Sequence, residues 1–218
     1  MTSTYQVNEI FYSIQGEGVL TGTPCTFIRL QGCTVGCPWC DTKYTWQRGG
    51  TRMTPYEIGN QVQHSHVVIT GGEPTLYNLD PLIRALWARG CYVQLETSGQ
   101  QWLKGEMEPN WITLSPKATL GYDFPLRYLK RVREVKWVVD EDLKFGVVWQ
   151  VWQQVMEEAI RLVVPPYFVL MPEGCPPRKE MVLKALSWLE DSKVAGTNMR
   201  YKGSWRYGDR IQYRIGVR

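Results

Sequence analysis

The sequence lacks any apolar run long enough to cross a lipid bilayer. A spanning helix needs about 18 or more consecutive apolar residues, whereas the most apolar candidate, AIRLVVPPYFVL at 159–170, is interrupted by Arg161 and by two prolines. The N-terminus, MTSTYQVNEI, also lacks the basic region and the apolar stretch of a secretory signal. We therefore expect a cytoplasmic protein that does not associate with a membrane.

Strong charge of one sign and compositional bias are missing as well. The chain has 25 basic and 21 acidic side chains, for a net charge of +4, and it contains no repeat and no low-complexity segment. So small an excess suits an anionic small-molecule substrate and gives no reason to expect direct contact with nucleic acid. The 218 residues, 44% of them apolar, suit a single domain over residues 1–218 that ends in a basic segment from about residue 196.

Strand-like and helix-like stretches alternate along the chain. Helices are predicted at 54–63, 80–90, 151–163 and 178–191, the first of them opened by a capping box between Thr54 and Glu57. Strands are predicted at 25–31, 66–70, 91–96, 111–115, 134–140 and 167–171, and residues 209–215 are either a last strand or a tail. Alternation of this kind produces parallel sheets, and the chain is short for a closed eight-stranded barrel. We expect an α/β fold, a partial, open (βα) barrel with mainly parallel strands.

Polar or glycine-rich segments follow five of the predicted strands. They are Gly32–Cys33, TGGEP at 70–74, ETSG at 96–99, SPK at 115–117 and MPEG at 171–174. In parallel α/β folds, binding sites form at the carboxyl ends of the strands. The five segments therefore predict one shared site rather than five unrelated turns.

Three of the six cysteines, Cys33, Cys37 and Cys40, stand close together in the pattern C-x3-C-x2-C. A structural zinc site normally has four protein ligands, and the fourth would here be His64, His66 or a distant cysteine, since no second C-x2-C is present. Iron–sulfur clusters are also usually held by four cysteines. Three thiolates on a four-iron cluster leave one iron open to a ligand. The pattern therefore suits a cluster that takes part in chemistry, with a zinc-stapled binding module as the alternative.

The triplet CTVGCPWC together with GGEP at 71–74 resembles the radical S-adenosylmethionine enzymes. The resemblance implies a [4Fe–4S] cluster on the three cysteines and S-adenosyl-L-methionine chelated to the open iron, where one electron releases a 5′-deoxyadenosyl radical. The residues implied to bind this cofactor are Trp39, Cys40, Asp41, Gly72, Glu73, Ser98, Ser115, Pro116, Lys117, Met171, Pro172 and Glu173. Physical reasoning adds that Gly71 and Gly72 allow close backbone approach, and that Glu73 either braces this loop or bonds a ligand.

Other polar residues suit a substrate. Gln15 and Glu17 flank Gly16 in QGEG, and an amide beside a carboxylate matches a ring with alternating donors and acceptors, such as a pterin. The Arg29 guanidinium suits a substrate carboxylate, with an ion pair to an internal acid as the alternative. Thr42, directly behind the last cysteine, offers a hydroxyl of the kind that binds Mg²⁺ together with substrate oxygens.

Taken together, IQGEG, FIRLQGC, CDT, TGGEP, ETSG, SPK and MPEG resemble the 7-carboxy-7-deazaguanine synthase family over about residues 7 to 175. The resemblance implies conversion of 6-carboxy-5,6,7,8-tetrahydropterin to 7-carboxy-7-deazaguanine with release of ammonia, as in 7-deazapurine (queuosine-type) biosynthesis. It also implies a homodimer, an electron donor such as flavodoxin, and Mg²⁺ on Thr42. The residues implied to bind substrate are Ile14, Gln15, Gly16, Glu17, Arg29, Thr70 and Arg218.

The C-terminus departs from the family pattern. Family members often carry a Q-x-H stretch near the last strand, whereas this chain ends in SWRYGDRIQYRIGVR without the histidine. Arg206, Arg210, Arg214 and Arg218 make this tail basic. A run of arginines of this kind predicts a solvated face, with contact to nucleic acid as the lesser alternative. The alternative enzymatic function is that of an activating enzyme for glycyl-radical proteins, because such enzymes share the cysteine spacing and GGEP.

Overall fold

The computed structural model describes residues 3–159, 166–174, 176–191 and 205–216. Within these ranges a single sheet contains nine strands. The strands are β1 (Tyr5–Ile14), β2 (Pro24–Leu30), β3 (Thr51–Met53), β4 (His66–Gly71), β5 (Tyr92–Thr97), β6 (Trp111–Leu114), β7 (Glu134–Val139), β8 (Tyr167–Pro172) and β9 (Trp205–Tyr207).

The strands lie in the order β3-β1-β2-β4-β5-β6-β7-β8-β9. Each neighbouring pair from β2 to β9 runs parallel, and β1 is antiparallel to both β2 and β3. The strands β3 and β9 form opposite edges, so the sheet is open. The prediction of a mainly parallel, unclosed α/β fold is confirmed.

Five helices accompany the sheet in the described residues: α1 (Pro55–Asn60), α2 (Asp80–Trp87), α3 (Phe145–Ala159), α4 (Lys179–Leu189) and α5 (Ile211–Arg214). Short 3₁₀ helices occupy Lys43–Thr45, Pro74–Leu76, Ala118–Leu120 and Leu126–Lys130. The predicted capping box is present at α1, because the Thr54 hydroxyl accepts the Glu57 N–H and the Glu57 carboxylate accepts the Thr54 N–H. Residues 160–163 of the predicted third helix lie outside the described residues.

The core explains why these strands form. Parallel strands covered on both faces are almost continuously apolar, and the first four residues of β4 and all six of β7 are buried. Helix α2 contributes Leu82, Ile83 and Leu86, each fully buried. Burial of one such side chain stabilises the fold by roughly 1.5–3 kcal/mol. Strand β7 also buries two charged side chains, Glu134 and Lys136, within this apolar layer.

The sequence prediction missed the first strand. No strand was predicted before residue 25, but Tyr5–Ile14 forms β1. A register shift between Val7 and Glu9 interrupts the alternation that would have marked β1 as a strand. Of the two alternatives for residues 209–215, the strand is wrong, because Ile211–Arg214 forms the short helix α5 and the last strand, β9, lies farther upstream.

No helix among the described residues is long and apolar enough to span a membrane.

Candidate active site

The carboxyl ends of β2, β4, β5, β6, β7 and β8 border one cavity of about 420 Å³. This volume lies within the range of about 300–1,000 Å³ that is typical of small-molecule and cofactor sites. Eighteen of the residues assigned from the sequence to the cluster, Mg²⁺, the cofactor or the substrate line it: Ile14, Gln15, Gly16, Glu17, Arg29, Cys33, Cys37, Trp39, Cys40, Asp41, Thr42, Thr70, Gly72, Glu73, Ser98, Ser115, Lys117 and Met171. Segments distant in sequence thus meet at one place, as the strand-end argument predicts.

The three cysteines lie on one loop at the wall of this cavity. The loop is closed at its base, because Gly32 N–H donates to the Thr45 carbonyl at 2.7 Å. Val35 N–H lies 3.5 Å from Cys33 Sγ, a contact of the kind that tunes cysteines bound to iron–sulfur clusters. Burial raises the pKa of the Cys33 and Cys37 thiols, and Lys117 opposes this effect at Cys37. Among the described residues, no group of three or more His, Cys, Asp or Glu side chains is close enough to surround a single ion.

The GG of TGGEP packs against the start of the cysteine loop. A Cβ at Gly72 would lie 2.1 Å from the Gly32 oxygen and 2.8 Å from the Cys33 Cβ. Gly72 N–H donates to Leu30 O at 3.0 Å, and Glu73 N–H donates to Gly32 O at 2.8 Å. These two amides therefore join the loop to the sheet. The absence of a side chain at Gly72 thus lets its backbone pack directly against the cysteine loop. Gly72 also lines the cavity.

Glu73 braces this arrangement. Its carboxylate is almost fully buried and accepts hydrogen bonds from Thr75 N–H at 3.1 Å, the Thr75 hydroxyl at 2.7 Å, the Thr97 hydroxyl at 2.6 Å and Ser98 N–H at 2.8 Å. The Ser98 hydroxyl donates to it as well. A buried carboxylate with this many donors is held in a single orientation. The loop-bracing alternative for Glu73 is therefore the one that the structure displays.

On the cofactor side predicted from the sequence, Lys117 lies at the centre of the polar contacts. Its Nζ lies 2.7 Å from Ser115 Oγ and 4.9 Å from the centroid of the Trp39 ring. The Trp39 indole N–H donates to Asp140 Oδ2 at 3.2 Å, and the hydroxyl of Thr42 lies 3.4 Å from Cys40 Sγ.

Some predicted cofactor residues are placed elsewhere. Pro116, Pro172 and Glu173 are not among the residues that line the cavity, and the Glu173 carboxylate pairs with the Arg178 guanidinium at 2.5 Å. Arg218, predicted to reach the substrate, lies outside the described residues.

The predicted substrate side is a connected polar wall. Gln15 Nε2 donates to Glu96 Oε1 at 3.0 Å, while Gln15 Oε1 accepts the Glu17 N–H at 3.1 Å. The Thr70 hydroxyl lies 3.5 Å from the other Glu96 oxygen. Lys136 Nζ lies 2.7 Å from Glu17 Oε2 and 3.6 Å from Glu96 Oε1. Amide and carboxylate groups thus face the same cavity under the influence of one buried lysine.

Lys136 keeps the neighbouring carboxyl group ionised. Burial acts to raise the pKa of Glu17, but the positive charges of Lys136 and Arg210 outweigh it and lower the pKa to about 2. Burial likewise acts to lower the pKa of Lys136, yet Glu17, Glu96 and Glu134 raise it above its ordinary value. The wall therefore presents acceptors with fixed negative charge to the cavity at neutral pH.

Arg29 lines the cavity and also makes the ion pair named as its alternative. Its Nε lies 2.8 Å from Glu9 Oε1, and both side chains are about 15% exposed. Its guanidinium lies over the Phe11 ring, 5.4 Å from the centroid. Because a guanidinium carries five N–H donors, pairing through Nε is compatible with a second anionic partner in the cavity.

Sequence reasoning gave no site role to several residues that line the cavity, among them Lys136, Arg210 and Gln212. For Lys136 a signal existed, since it is the lone cation inside the buried strand sequence EVKWVV. Gln212 carried none, because it reaches the cavity only when the C-terminal segment packs on Gly16, where a Cβ would lie 1.7 Å from Gln212 Oε1. Within the described part of the chain, this buried amide oxygen has no hydrogen-bond donor.

The solvated-face prediction for the basic tail is wrong for Arg210. The Arg210 side chain is 13% exposed and lies against Glu17 and Asp41. Arg206 and Arg214 are exposed, as predicted.

Replacing Glu134 with glutamine is expected to increase the free energy of unfolding by about 3 kcal/mol at pH 8. Burial raises the pKa of Glu134 to about 7. A raised carboxyl pKa weakens the fold as pH increases from the unfolded value near 4.3 to the folded value. In the wild-type protein, Val19 N–H donates to Glu134 Oε2 at 3.1 Å. Glutamine removes the charge, and its amide oxygen can still accept this hydrogen bond.

Denaturant unfolding of both proteins at pH 8 and pH 5 measures this effect. The gain should fall by about 2 kcal/mol between pH 8 and pH 5, because the wild-type carboxyl becomes protonated in the folded state. A gain of equal size at the two pH values would show that the desolvated charge is not its cause.

The chain is 39% identical to the 7-carboxy-7-deazaguanine synthase of Aquifex aeolicus over 188 residues. This aligned region covers 83% of this chain and 82% of that protein. This chain belongs to the 7-carboxy-7-deazaguanine synthase family. The corresponding synthase of Escherichia coli K12 is 40% identical over 61% of this chain and 70% of its own length, and that of Synechocystis is 42% identical over 66% and 70%. No family model matches the sequence.

Structural comparison agrees with the assignment to the 7-carboxy-7-deazaguanine synthases. A crystal structure of QueE from Escherichia coli superposes with a TM-score of 0.69 and 31% identity, over 94% of this chain and 93% of that one. The family, the enzyme class and the radical S-adenosylmethionine ring-contraction role predicted from the motifs are confirmed. Membership of the synthase family decides against the zinc-stapled module and the glycyl-radical activating enzyme.

Proposed function

We propose that this chain contracts the ring of 6-carboxy-5,6,7,8-tetrahydropterin to 7-carboxy-7-deazaguanine with release of ammonia, and that it does so in the cavity described above. The observation that carries the proposal is the composition of the cavity wall. Three cysteines line the same cavity as the amide and carboxylate groups of Gln15, Glu17 and Glu96, which are joined by hydrogen bonds.

The residues on the cysteine side fit the cofactors of the family. We assign Cys33, Cys37 and Cys40 to a [4Fe–4S] cluster, supported by the loop closed on the sheet and by the Val35 N–H at Cys33 Sγ. Lys117, Ser115 and the Trp39 ring form the wall toward S-adenosyl-L-methionine. When bound, the reduced cluster and S-adenosyl-L-methionine supply a carbon radical that abstracts hydrogen from the substrate. Gln15, Glu17 and Glu96 hold the substrate in place while this happens.

The polar wall is assigned to the pterin ring. The ring presents N–H donors, and ionised carboxylates together with an amide oxygen are the acceptors that such donors require. The buried oxygen of Gln212 adds an acceptor at the same wall. Arg29 is assigned to the substrate carboxylate, and Thr70 to the ring side. Mg²⁺ on the Thr42 hydroxyl is part of the proposal, supported by the position of Thr42 in the cavity lining.

We also propose the partners of this protein. A pterin that carries a carboxylate is the small-molecule substrate, and the cationic side chains in the cavity wall, Arg29 and Lys117 among them, support an anionic ligand. A homodimer, an electron donor such as flavodoxin, a cytoplasmic location and a single domain over residues 1–218 complete the proposal. No contact with nucleic acid is invoked, since the net charge is only +4.

Turnover of the cluster-loaded protein tests this function. The anaerobically reconstituted protein is incubated with reductant, the carboxytetrahydropterin, Mg²⁺ and substoichiometric S-adenosyl-L-methionine, and product mass and ammonia are measured. We expect 7-carboxy-7-deazaguanine in excess over the S-adenosyl-L-methionine supplied, because the hydrogen taken by the radical is returned at the end of each cycle. Accumulation of 5′-deoxyadenosine without a deazapurine would refute the substrate assignment and leave the radical class intact.

A further inference from the structure

The C-terminal segment places one arginine inside the cavity. Arg210 lies between β9 and α5, and its Nε is 3.2 Å from Glu17 Oε1 while its Nη1 is 3.4 Å from Asp41 Oδ2. The adjacent backbone also docks, because Ile211 N–H donates to the Gly16 carbonyl at 3.1 Å. One guanidinium therefore lies between the QGEG loop and the cysteine loop.

Other arginines of this segment do not share that position. Arg206 is exposed and lies over the Tyr167 ring at 5.0 Å from the centroid. Arg214 is exposed and pairs with Asp209 at 2.5 Å. The difference gives a matched pair, because Arg210 and Arg214 are four residues apart and equal in charge, and only Arg210 of these two lines the cavity.

We propose that Arg210 is a positioning residue for the substrate, which fixes the orientation of the Glu17 carboxylate while Asp41 anchors the arginine. This inference rests on the proposed function. The terminal side-chain torsion of a glutamate has a broad, roughly two-fold distribution. Contact with a single cation therefore leaves the carboxylate free to rotate about that bond. Here Lys136 contacts Glu17 Oε2 at 2.7 Å and Arg210 contacts Oε1 at 3.2 Å. Two cations on opposite oxygens hold the plane of the acceptor that the pterin N–H groups meet.

Asp41 is the second carboxylate that the Arg210 guanidinium contacts. A guanidinium is planar and presents its donors as a rigid fork, whereas an ammonium is a point charge on a flexible stem. Arg210 spans two carboxylates on two different loops, which a lysine at this position cannot do with the same geometry. Orientation of Glu17 should therefore depend on both the charge and the shape of residue 210.

Binding of the carboxytetrahydropterin to the cluster-loaded protein, without S-adenosyl-L-methionine, is the test. We expect Arg210→Gln to weaken binding about ten- to a hundredfold, which lies within the range of coupling energies between residues in contact in one ion-pair network. In turnover, KM should rise by a similar factor and kcat at saturating substrate should change much less, as expected when an interaction made in both ground and transition state is lost. Arg210→Lys should restore only part of the affinity. The control, Arg214→Gln, should bind within about twofold of wild type, as is usual for surface substitutions.

A double-mutant cycle tests the anchoring role of Asp41. Asp41→Asn should weaken pterin binding less than Arg210→Gln does, and the double variant should bind no more weakly than Arg210→Gln alone. Residues that act through one another give such non-additive effects, whereas independent residues give additive ones. Additive losses would show that Asp41 does not act through Arg210.

The other outcomes are separable. Iron per chain and the thermal midpoint are measured for every variant, and Arg210→Lys supplies the test if Arg210→Gln does not fold. Wild-type affinity in Arg210→Gln with full iron content overturns the inference, as does an equal loss in Arg214→Gln, which would indicate general attraction of an anion. Failure of the wild-type protein itself to bind the pterin overturns the proposed function instead, and with it the basis of this inference.

Discussion

Replacing Cys37 with alanine is expected to give a folded protein without its iron–sulfur cluster and without turnover. Cys37 lines the cavity together with Cys33 and Cys40, and two thiolates cannot hold a cluster that already uses fewer than the usual four. Iron and sulfide per chain, visible absorption and product mass measure the result. We expect the brown colour to disappear and product to fall below detection, a loss larger than that from any other substitution considered.

The matched control for this experiment is Cys91→Ala. Cys91 is also a buried free thiol, but it belongs to the hydrophobic core and does not line the cavity. Its loss should leave iron content unchanged and lower stability modestly, as for other small core truncations. Equal iron in the Cys37 and Cys91 variants would contradict the assignment of the triplet to a cluster.

Replacing Lys136 with methionine is expected to lower the free energy of unfolding by about 3–5 kcal/mol at pH 7, because removing one partner leaves buried carboxylates without their cation. Lys136 is 6% exposed and contacts both Glu17 and Glu96. Chemical denaturation of the cluster-free forms at several pH values measures the loss. The loss should shrink as the pH falls from about 5 toward 2, since a carboxylate with a lowered pKa gives up its stabilising effect over that interval.

Two further variants show whether the charge is responsible. Lys144→Met removes an exposed lysine and should change stability by less than about 0.5 kcal/mol. Adding Glu17→Gln to Lys136→Met removes one of the stranded charges and should recover part of the loss. If the double variant is no more stable than Lys136→Met, the loss comes from packing of the lysine stem and not from the ion pairs.

Local signals in the sequence were enough to predict the framework of the site. Capping residues, alternating apolar runs and the segments that follow them indicated an open parallel sheet, and the carboxyl ends of its strands do border one cavity. The spacing of the cysteines and of GGEP pointed to a loop and a glycine edge that the structure brings into contact at Gly72 and Cys33. These features depend on residues that are close in sequence or on a general rule about parallel strands.

Features that depend on register and on long-range packing could not be predicted. The contact between Glu17 and Lys136 joins residues 119 positions apart, and it forms only because β7 lies in one particular register within the sheet. The irregular register between Val7 and Glu9 obscured β1. The docking of Arg210 and Gln212 on the QGEG loop follows from the return of the C-terminal segment to the sheet. In each case the deciding partner lies on a distant part of the chain, where a pattern of neighbouring residues carries no information.

The attachment of the cysteine loop to the sheet bears on how the enzyme is assembled. Both ends of the loop are tied by backbone bonds, through Gly32 to Thr45 at the base and through Gly72 and Glu73 to Leu30 and Gly32 at the side. None of these bonds involves a sulfur atom. We therefore expect the loop to keep this attachment when its sulfur atoms carry no iron, so that metal and sulfide enter a scaffold that is already fixed to the sheet.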